Sequence, residues 1–364
     1  MLIIMPPEEE DDVTTPKRAV LLDHGSKAQD DLYESAMAAA GSVPRALGLA
    51  SDLGAVAPLP GGGSTLTLWE VLATIAAADL SVARTVEPHL DAVAILQQAG
   101  LTAGAGTWGV FAAEAPGHRL EAHHSFKNDK NDKNNDGDWQ LTGRKPWCSL
   151  ADNLDYAVVT AHVPGGERRA FGVDLRQPAA HAIPGTWVSR GLATVDSGPV
   201  DFDAAAAHPV GADNWYLQRD GFAWGGLGVA ACWYGGAVGV ARRLLRAAEE
   251  RTPDQVALMH LGEVDRHLHA AREALAAAAA AIDHGRARGT AGALLAARVR
   301  GVVADAAEAI LRIVGHGLGP APLVLEEDHA RRVADLQVYL RQHHAERDAA
   351  ALGRQLQTAG GSPW

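Results

Sequence analysis

The chain has 364 residues, a length that ordinary domain sizes divide into two or three units. Hydrophobic residues make up 47% and charged residues 21%, a balance that is typical of globular proteins and excludes intrinsic disorder or a collagen-like chain. The formal net charge is −12, and no basic stripe runs along the sequence, so these properties exclude a typical nucleic-acid binder.

The cysteines and the apolar segments of the chain indicate the cellular compartment of the protein. Cys148 and Cys232 are the two cysteines, and their different sequence contexts predict no disulfide framework. Residues 1–12 have no basic segment before their short apolar run, so we expect no signal peptide. Since no apolar stretch is long enough to span a membrane either, we expect a cytoplasmic protein.

The first third of the chain has helical periodicity. Residues 67–78 and 86–98 each place apolar side chains three and four positions apart, as on one face of a helix. Ser64 or Thr65 is a candidate cap for the first of these helices. We therefore expect an N-terminal helical domain over residues 1–105.

The middle of the chain changes to short runs rich in Thr, Val, Phe and Trp. Residues 139–147 alternate in polarity and include a Thr-Gly pair that predicts a turn, and residues 155–163 have a buried-strand pattern. Further strands are predicted at 168–175 and 199–203. Short strands at this spacing predict a β domain over residues 106–212, folded as a sandwich or barrel.

The last part of the chain is helical again and predicts a bundle over residues 213–364. Four amphipathic windows carry this prediction: residues 235–251, 260–285, 293–317 and 329–353. The predicted fold class is therefore α+β, with a helical domain, a β domain and a four-helix bundle in that order.

Several polar motifs have residue types that can bind metal ions. Glu121 and His124, like Glu326 and His329, have the Glu-x-x-His spacing of di-iron bundles, but neither pair lies inside a predicted core helix. Residues 125–138 repeat Asn, Asp and Lys, and lack the bidentate Glu of a calcium loop. We predict no metal site, and we interpret the repeat as a mobile hairpin tip.

Four segments in a fixed order carry a resemblance to a known family. The chain has no P-loop, no dinucleotide-binding fingerprint and no Gly-x-Ser-x-Gly elbow. Instead, residues 108–117, 139–161, 191–211 and 234–245 resemble motifs of the acyl-CoA dehydrogenase family of flavoproteins. The resemblance covers nearly the whole chain and implies the same helix, strand and bundle order.

The resemblance also implies an activity and its partners. Acyl-CoA dehydrogenases use FAD to oxidise an acyl thioester across its α and β carbons, with the hydride passing to flavin N5. Electrons would then pass to an electron-transfer flavoprotein. We accordingly expect FAD as cofactor, acyl-CoA or a related small molecule as substrate, and a homodimer or homotetramer with the cofactor at a subunit interface.

By resemblance, two loops of the β domain would hold the flavin ring. The candidate residues are Phe111, Ala112, Ala113, Trp147, Cys148 and Ser149. Ala113 stands where the family usually has a Thr, so only backbone contacts would remain there. Trp147 would pack on the flavin and Ser149 would place its hydroxyl near N5. The alternative for Trp147 is a core Trp of the β domain.

Segments of the bundle correspond to the phosphate and adenine end of the cofactor. Arg251 stands near the family's Arg loop, which reaches across a dimer to the FAD pyrophosphate. Arg312 and the sequence Gly315, His316, Gly317 stand where the family has Gln-x-x-Gly-Gly, so an Arg contact and a backbone cradle are implied. The alternative is a helix that Gly315 closes, with Arg312 on its surface.

The catalytic base of the family has no direct match. Near Val229 there is no carboxylate, and the last helix offers His343 or His344 where a Glu is expected, with Glu346 following. Tyr339, His343 and Glu346 are spaced to share one helix face. We name His343 and Glu346 as the catalytic candidates. The alternative is a solvated or dimer-contact surface.

The missing Glu leaves two other functions open. Flavin monooxygenases and oxidases of the same family lack this Glu, and some use His. A non-catalytic descendant would also explain the lost Thr, Gln and Arg loop. The sequence thus predicts a flavin-linked oxidoreductase and leaves its reaction open.

Overall fold

A computed structural model describes residues 18–23, 29–125 and 139–359 of the chain. It begins with four helices: α1 (Asp30–Ala39), α2 (Val43–Gly54), α3 (Thr65–Ala78) and α4 (Leu80–Gln98). The two predicted helices correspond to α3 and α4. Helix α3 is buried on nearly all sides, because the other helices surround it. The predicted hairpin tip lies, apart from Ser125, outside the described residues.

The starts of α3 and α4 are fixed by different contacts. Ser64 precedes α3 but makes no capping bond with its side chain. The Thr65 hydroxyl instead donates to a carboxylate oxygen of Asp283 at 2.6 Å, which ties the helical domain to the bundle. At the start of α4, the Asp79 carboxylate accepts from the backbone N–H of Val82 at 2.9 Å and so forms a true N-cap.

The middle region forms one sheet of seven strands. They are β1 (Trp108–Phe111), β2 (Leu120–His124), β3 (Trp139–Lys145), β4 (Tyr156–His162), β5 (Arg168–Asp174), β6 (Ala180–Ala182) and β7 (Val200–Val210). The strand order is β1-β4-β2-β3-β7-β5, with β6 paired to β7. Because β4 also pairs with β5, the sheet closes on itself in a barrel-like ring.

The predicted Thr-Gly turn in β3 is wrong. Thr142 and Gly143 lie inside the strand, at a register shift in its pairing with β7. Gly143 has φ +122°, and a Cβ there would lie 2.3 Å from the carbonyl oxygen of Arg119. The pair therefore forms an irregularity that lets β3 stay paired on both sides while two backbones approach closely.

The C-terminal region contains α5 (Trp215–Gln218), α6 (Asp220–Glu250), α7 (Gln255–Asp283), α8 (Gly289–Leu318), α9 (Ala321–Leu325), α10 (Glu327–Tyr339) and α11 (Glu346–Ala359). The prediction of a single helix over 329–353 is wrong, because α10 ends at Tyr339 and a separate helix, α11, begins at Glu346. A 3₁₀ turn, Leu340–Gln342, follows α10, and Ala345 has φ +46°, which no α-helix accommodates.

The three regions share a continuous core. Buried apolar side chains from the N-terminal helices, the inner face of the sheet and α6, α7, α8 and α10 form one cluster. Asp335 of α10 joins all three regions, because it accepts from Leu192 N–H at 2.6 Å and from the Ser81 hydroxyl at 3.1 Å. Within the part of the chain that the structure describes, no helix has the length and apolarity needed to cross a membrane.

Candidate active site

The turn after β3 presents an aromatic ring to solvent. Trp147 has φ +59°, a left-handed conformation that is unfavourable for a bulky side chain, and 57% of the residue is exposed. Two backbone bonds hold the turn: Cys148 N–H donates to Gly198 at 2.9 Å, and Leu150 N–H donates to Asp196 at 2.6 Å. The alternative of a core Trp is therefore wrong for Trp147, since its ring forms an exposed apolar wall.

Cys148 is a buried residue that supports the turn and does not face the cleft. Its side chain is buried and its thiol donates to the carbonyl oxygen of Lys145 at 3.3 Å. Burial raises the pKa of this thiol to about 12, so the thiolate does not form near neutral pH. The residue anchors the turn that carries Trp147.

Ser149 connects the β domain to helix α4. Its hydroxyl lies 2.8 Å from the Ser197 hydroxyl, and it accepts a bond of 3.1 Å from the guanidinium of Arg84. Ser149, Arg84 and the last residues of β1, including Phe111, line a small cleft between α4 and the sheet. The cleft thus brings together Phe111 and Ser149, one residue from each of the two loops that the sequence assigned to the flavin ring.

The Arg84 contact continues into a buried polar chain. The guanidinium lies 3.7 Å from the Glu87 carboxylate, which accepts from the Tyr339 hydroxyl at 3.4 Å. Burial raises the pKa of Glu87 to about 7, although the positive charge of Arg84 opposes the change. Glu87 can therefore take up or release a proton near neutral pH, which is what a general acid or base requires.

The loop after β1 is held by a cluster of charges. The Glu114 carboxylate accepts from Lys145 Nζ at 2.7 Å and lies 3.2 Å from Arg168. Partial burial acts to raise the pKa of Glu114, but the Lys145 bond and the nearby positive charges hold it below its ordinary value. Because Arg168 also donates to the Ala112 carbonyl at 2.8 Å, the backbone of Ala112 and the exposed Ala113 is fixed beside the cleft.

The two catalytic candidates, His343 and Glu346, do not lie on one helix face. His343 follows the 3₁₀ turn in an extended conformation, and Glu346 is an exposed residue at the start of α11, so the predicted shared face with Tyr339 is wrong. The His343 ring packs edge-on against Trp233, with centroids 6.2 Å apart, and its Nε2 lies 3.8 Å from Asp348. Burial lowers the pKa of His343 and so favours the neutral form of its ring, although the nearby Asp348 opposes the change.

The phosphate-end candidates come from two places: Arg251 lies in the link between α6 and α7, and the others lie in the last turns of α8. Arg251 and Arg312 are both exposed. Helix α8 continues through Gly315, His316 and Gly317 to Leu318, so the expectation that Gly315 closes the helix is wrong and their amides make helical bonds. A Cβ on Gly317 would meet Leu244 and His260, whereas Gly315 has open space beside it.

The Glu-x-x-His pairs have ordinary roles. Glu326 binds the Arg243 guanidinium through two bonds of 2.7 and 2.8 Å, and His329 is buried rather than solvated. Glu121 pairs with Arg119 on the surface of β2. In the described ranges, no group of three or more His, Cys, Asp or Glu side chains is arranged to hold a metal ion.

Sequence reasoning missed the residues that link the cleft to the interior. They are Arg84, Glu87, Ser197 and Tyr339 in its hydrogen-bonding role. A signal was present in α4, where an Arg and a Glu three positions apart interrupt an apolar helix that is buried on most sides. Ser197 carries no signal, because only the fold brings residues 196–198 beside the turn at 147–150.

Comparisons with known proteins bear on the fold. No protein-family model matches the chain, and no curated protein matches it. Among solved structures, KijD3 in complex with FMN and dTDP-3-amino-2,3,6-trideoxy-4-keto-3-methyl-D-glucose is similar. It is 20% identical with a TM-score of 0.73, and the match covers 88% of this chain and 90% of that chain.

Two further solved structures have the same architecture. TdsC from Paenibacillus sp. A11-2 with FMN and indole, a dibenzothiophene monooxygenase, is 17% identical with a TM-score of 0.74, covering 91% of this chain and 96% of that chain. Butyryl-CoA dehydrogenase from Megasphaera elsdenii is 17% identical with a TM-score of 0.73, covering 89% and 97%. The chain therefore has the acyl-CoA dehydrogenase fold, which confirms the predicted resemblance at the level of the fold.

Proposed function

We propose that this chain is a flavin-dependent oxidoreductase whose flavin ring lies against the turn after β3. The observation that carries the proposal is the exposed Trp147 ring next to a Ser149 hydroxyl that binds Arg84. Bound flavin supplies hydride and electron transfer, which amino-acid side chains do not provide. Arg84 orients the hydroxyl, and Glu87 behind it holds a proton.

The residues of the turn after β3 and of the loop after β1 fit a flavin ring in three respects. Trp147 offers a large apolar face, the loop at Ala112 and Ala113 offers backbone that Arg168 holds in place, and the Ser149 hydroxyl is already oriented. The other end of the cofactor is less constrained. In the described residues, no hydrogen bond or ion pair joins the turn at 147–149 to Arg251, Arg312 or the segment 315–317.

A cofactor that is shared between two subunits, or one that is short, would not need both groups of residues from the same chain. The family resemblance implies FAD and a homodimer or homotetramer, in which Arg251 and Arg312 would serve the partner's cofactor. FMN is the flavin named for KijD3 and TdsC, and it has no adenine end to hold. The helical amides of 315–317 favour FMN, because they offer no free backbone cradle.

Two reactions remain candidates for the site. The first is dehydrogenation of an acyl thioester, with His343 or Glu346 as the base and an electron-transfer flavoprotein as acceptor. The second is an oxygen-dependent monooxygenation or oxidation. The oxygen-dependent reaction is favoured, because neither candidate base is a buried carboxylate at the expected position. His343 lies against Trp233 and Asp348, and Glu346 is exposed. A cytoplasmic location remains part of the proposal.

Flavin titration of the purified chain tests the proposal. FMN and FAD are each added while flavin fluorescence is followed, for the wild type and for Trp147→Ala and Ser149→Ala. We expect binding by the wild type and at least tenfold weaker binding by Trp147→Ala. Val188→Ala is the matched control, since Val188 is an exposed apolar residue of the same domain. Absence of binding by the wild type would favour a non-catalytic descendant.

The reaction is tested on the flavin-loaded chain. Anaerobic bleaching of the flavin by butyryl-CoA would support dehydrogenation, and fast reoxidation of dithionite-reduced flavin by air would support the oxygen-dependent reaction. His343→Ala and Glu346→Gln are compared in both assays. If both variants bleach at the wild-type rate, neither residue is the base.

A further inference from the structure

A wide cleft lies between α2, the second half of α4 and the loop 100–106 that leads to β1. It has a volume of about 680 Å³ and is open to solvent. Pockets that bind small molecules commonly have volumes of about 300 to 1,000 Å³. None of the residues that line it also lines the small cleft beside Ser149, so the two are separate.

One buried ring of α4 lines this wide cleft. His89 is 4% exposed, and its Nδ1 accepts the backbone N–H of Trp108 at 3.1 Å. Burial lowers the pKa of His89, so the neutral ring is favoured. In a neutral imidazole one nitrogen accepts and the other carries the proton, so Nε2 is the donor. Among the described residues this N–H has no acceptor.

Gly54, the last residue of α2, lets the His89 ring reach the wall of the cleft. Both residues line the cleft, and a Cβ on Gly54 would lie 2.4 Å from His89 Nε2. The missing side chain of Gly54 therefore leaves the space beside this N–H free. Because buried polar groups nearly always have partners, the unpartnered N–H indicates a ligand that brings an acceptor atom.

The rest of the lining is uncharged. Its polar side chains are Ser51, Gln97 and Thr102, and with His89 neutral none of the described lining residues carries a charge. An ion that left water for this cleft would meet no opposite charge, which is unfavourable. The backbone N–H groups of residues 102–106 also donate to no acceptor among the described residues, so the loop offers further donors.

We infer that this cleft binds an uncharged small molecule through a carbonyl or similar acceptor oxygen, which accepts the His89 Nε2 N–H. The apolar part of the molecule packs against Val93 and Leu101, which line the same cleft. The inference goes beyond the proposed function, because this binding site is separate from the turn that carries Trp147 and requires no flavin.

Calorimetric titration of the full chain with three probes of similar shape tests the ligand class. The probes are acetophenone, benzoate and the ammonium form of α-methylbenzylamine. We expect acetophenone to bind at least tenfold more tightly than either ion, because it alone is an uncharged acceptor. A smaller preference, tighter binding of either ion, or no binding of any probe would overturn the inference. The titrations contain no flavin, so a failure of flavin binding contradicts the proposed function alone.

Two substitutions then locate the bound acetophenone. Gly54→Ala places a methyl group against His89 Nε2, and Gly48→Ala, at an open position of the same helix, is its control. We expect at least fivefold weaker binding by the first variant and unchanged binding by the second. Ala55→Phe fills the cleft from an exposed position, and Val56→Phe, which is exposed but outside the lining, is its control.

The second pair decides the location even where Gly54→Ala does not fold. We expect Ala55→Phe to weaken acetophenone binding at least fivefold and Val56→Phe to leave it unchanged. Wild-type affinity in Ala55→Phe would show that the probe binds elsewhere and would overturn the inference.

Discussion

Among single residues, Glu87 has a pKa that folding raises, and this shift makes the stability of the chain depend on pH. Its pKa is about 7 in the folded chain and 4.5 when solvated, so the folded state binds more protons between these values. Its contribution to stability is therefore present at low pH and is lost as the pH rises through 7. The full difference amounts to roughly 3 kcal/mol in the free energy of unfolding.

The variant Glu87→Gln removes this dependence. Urea unfolding at pH 5 and pH 8 should show that the wild type loses up to about 3 kcal/mol more than the variant over this interval. Taking the difference between the two proteins cancels the other titrating groups. Equal changes in both proteins would show that Glu87 ionises normally.

Gly143 is the second residue whose environment makes a sharp prediction. Gly143→Ala is expected to destabilise the chain by about 2 to 4 kcal/mol, because φ is +122° and the new Cβ would lie 2.3 Å from a backbone oxygen. Gly301→Ala is the control, since Gly301 has open space and lies inside α8. Thermal unfolding should show a loss for the first variant and none for the second.

Among the helices, the first residues of α3 and α4 are expected to differ in how much a substitution there lowers the stability of the chain. Asp79→Ala removes a cap bond to Val82 and an ion pair of 3.3 Å with Arg331, so we expect a loss of about 1 to 2 kcal/mol. Ser64→Ala should cost little, because Ser64 makes no side-chain cap bond. Denaturant midpoints of both variants measure this, and equal losses would contradict the assignment of the cap.

The spacing of apolar residues predicted most helices and strands, because each of these elements buries one face. The windows at 67–78 and 86–98 became α3 and α4, and the run at 155–163 became β4. The same reasoning failed at 329–353, where helical periodicity continues through the 3₁₀ turn Leu340–Gln342 and the left-handed Ala345. Nothing local marks this break, since neither Gly nor Pro stands there.

The candidate site could be named in part for a related reason. Trp147 and Ser149 are sequence candidates because they lie in a motif that is contiguous in sequence. Arg84 and Ser197, which bind Ser149, come from a distant helix and loop, and only the fold brings them together. Motif order thus predicts contiguous loops well, and it cannot identify contacts that depend on how the three regions pack.

For the whole molecule, we predict a homo-oligomer that associates through exposed apolar side chains of α6 and α7. Val256, Leu258 and Met259 at the start of α7 are each more than half exposed, and Leu245 of α6 is also exposed. Such a patch commonly marks a protein interface. Leu258→Glu is expected to lower the mass measured by light scattering, whereas Val188→Glu in the β domain leaves it unchanged. An unchanged mass in both variants would show that subunits do not associate here.

The turn that carries Trp147 and Ser149 is the proposed flavin-binding site. The most direct measurement is flavin titration of the wild type beside Trp147→Ala and the control Val188→Ala. We predict that the wild type and the control bind FMN or FAD equally and that Trp147→Ala binds at least tenfold more weakly. A wild-type chain that binds neither flavin, or a Trp147→Ala chain that binds as tightly as the control, would contradict this prediction.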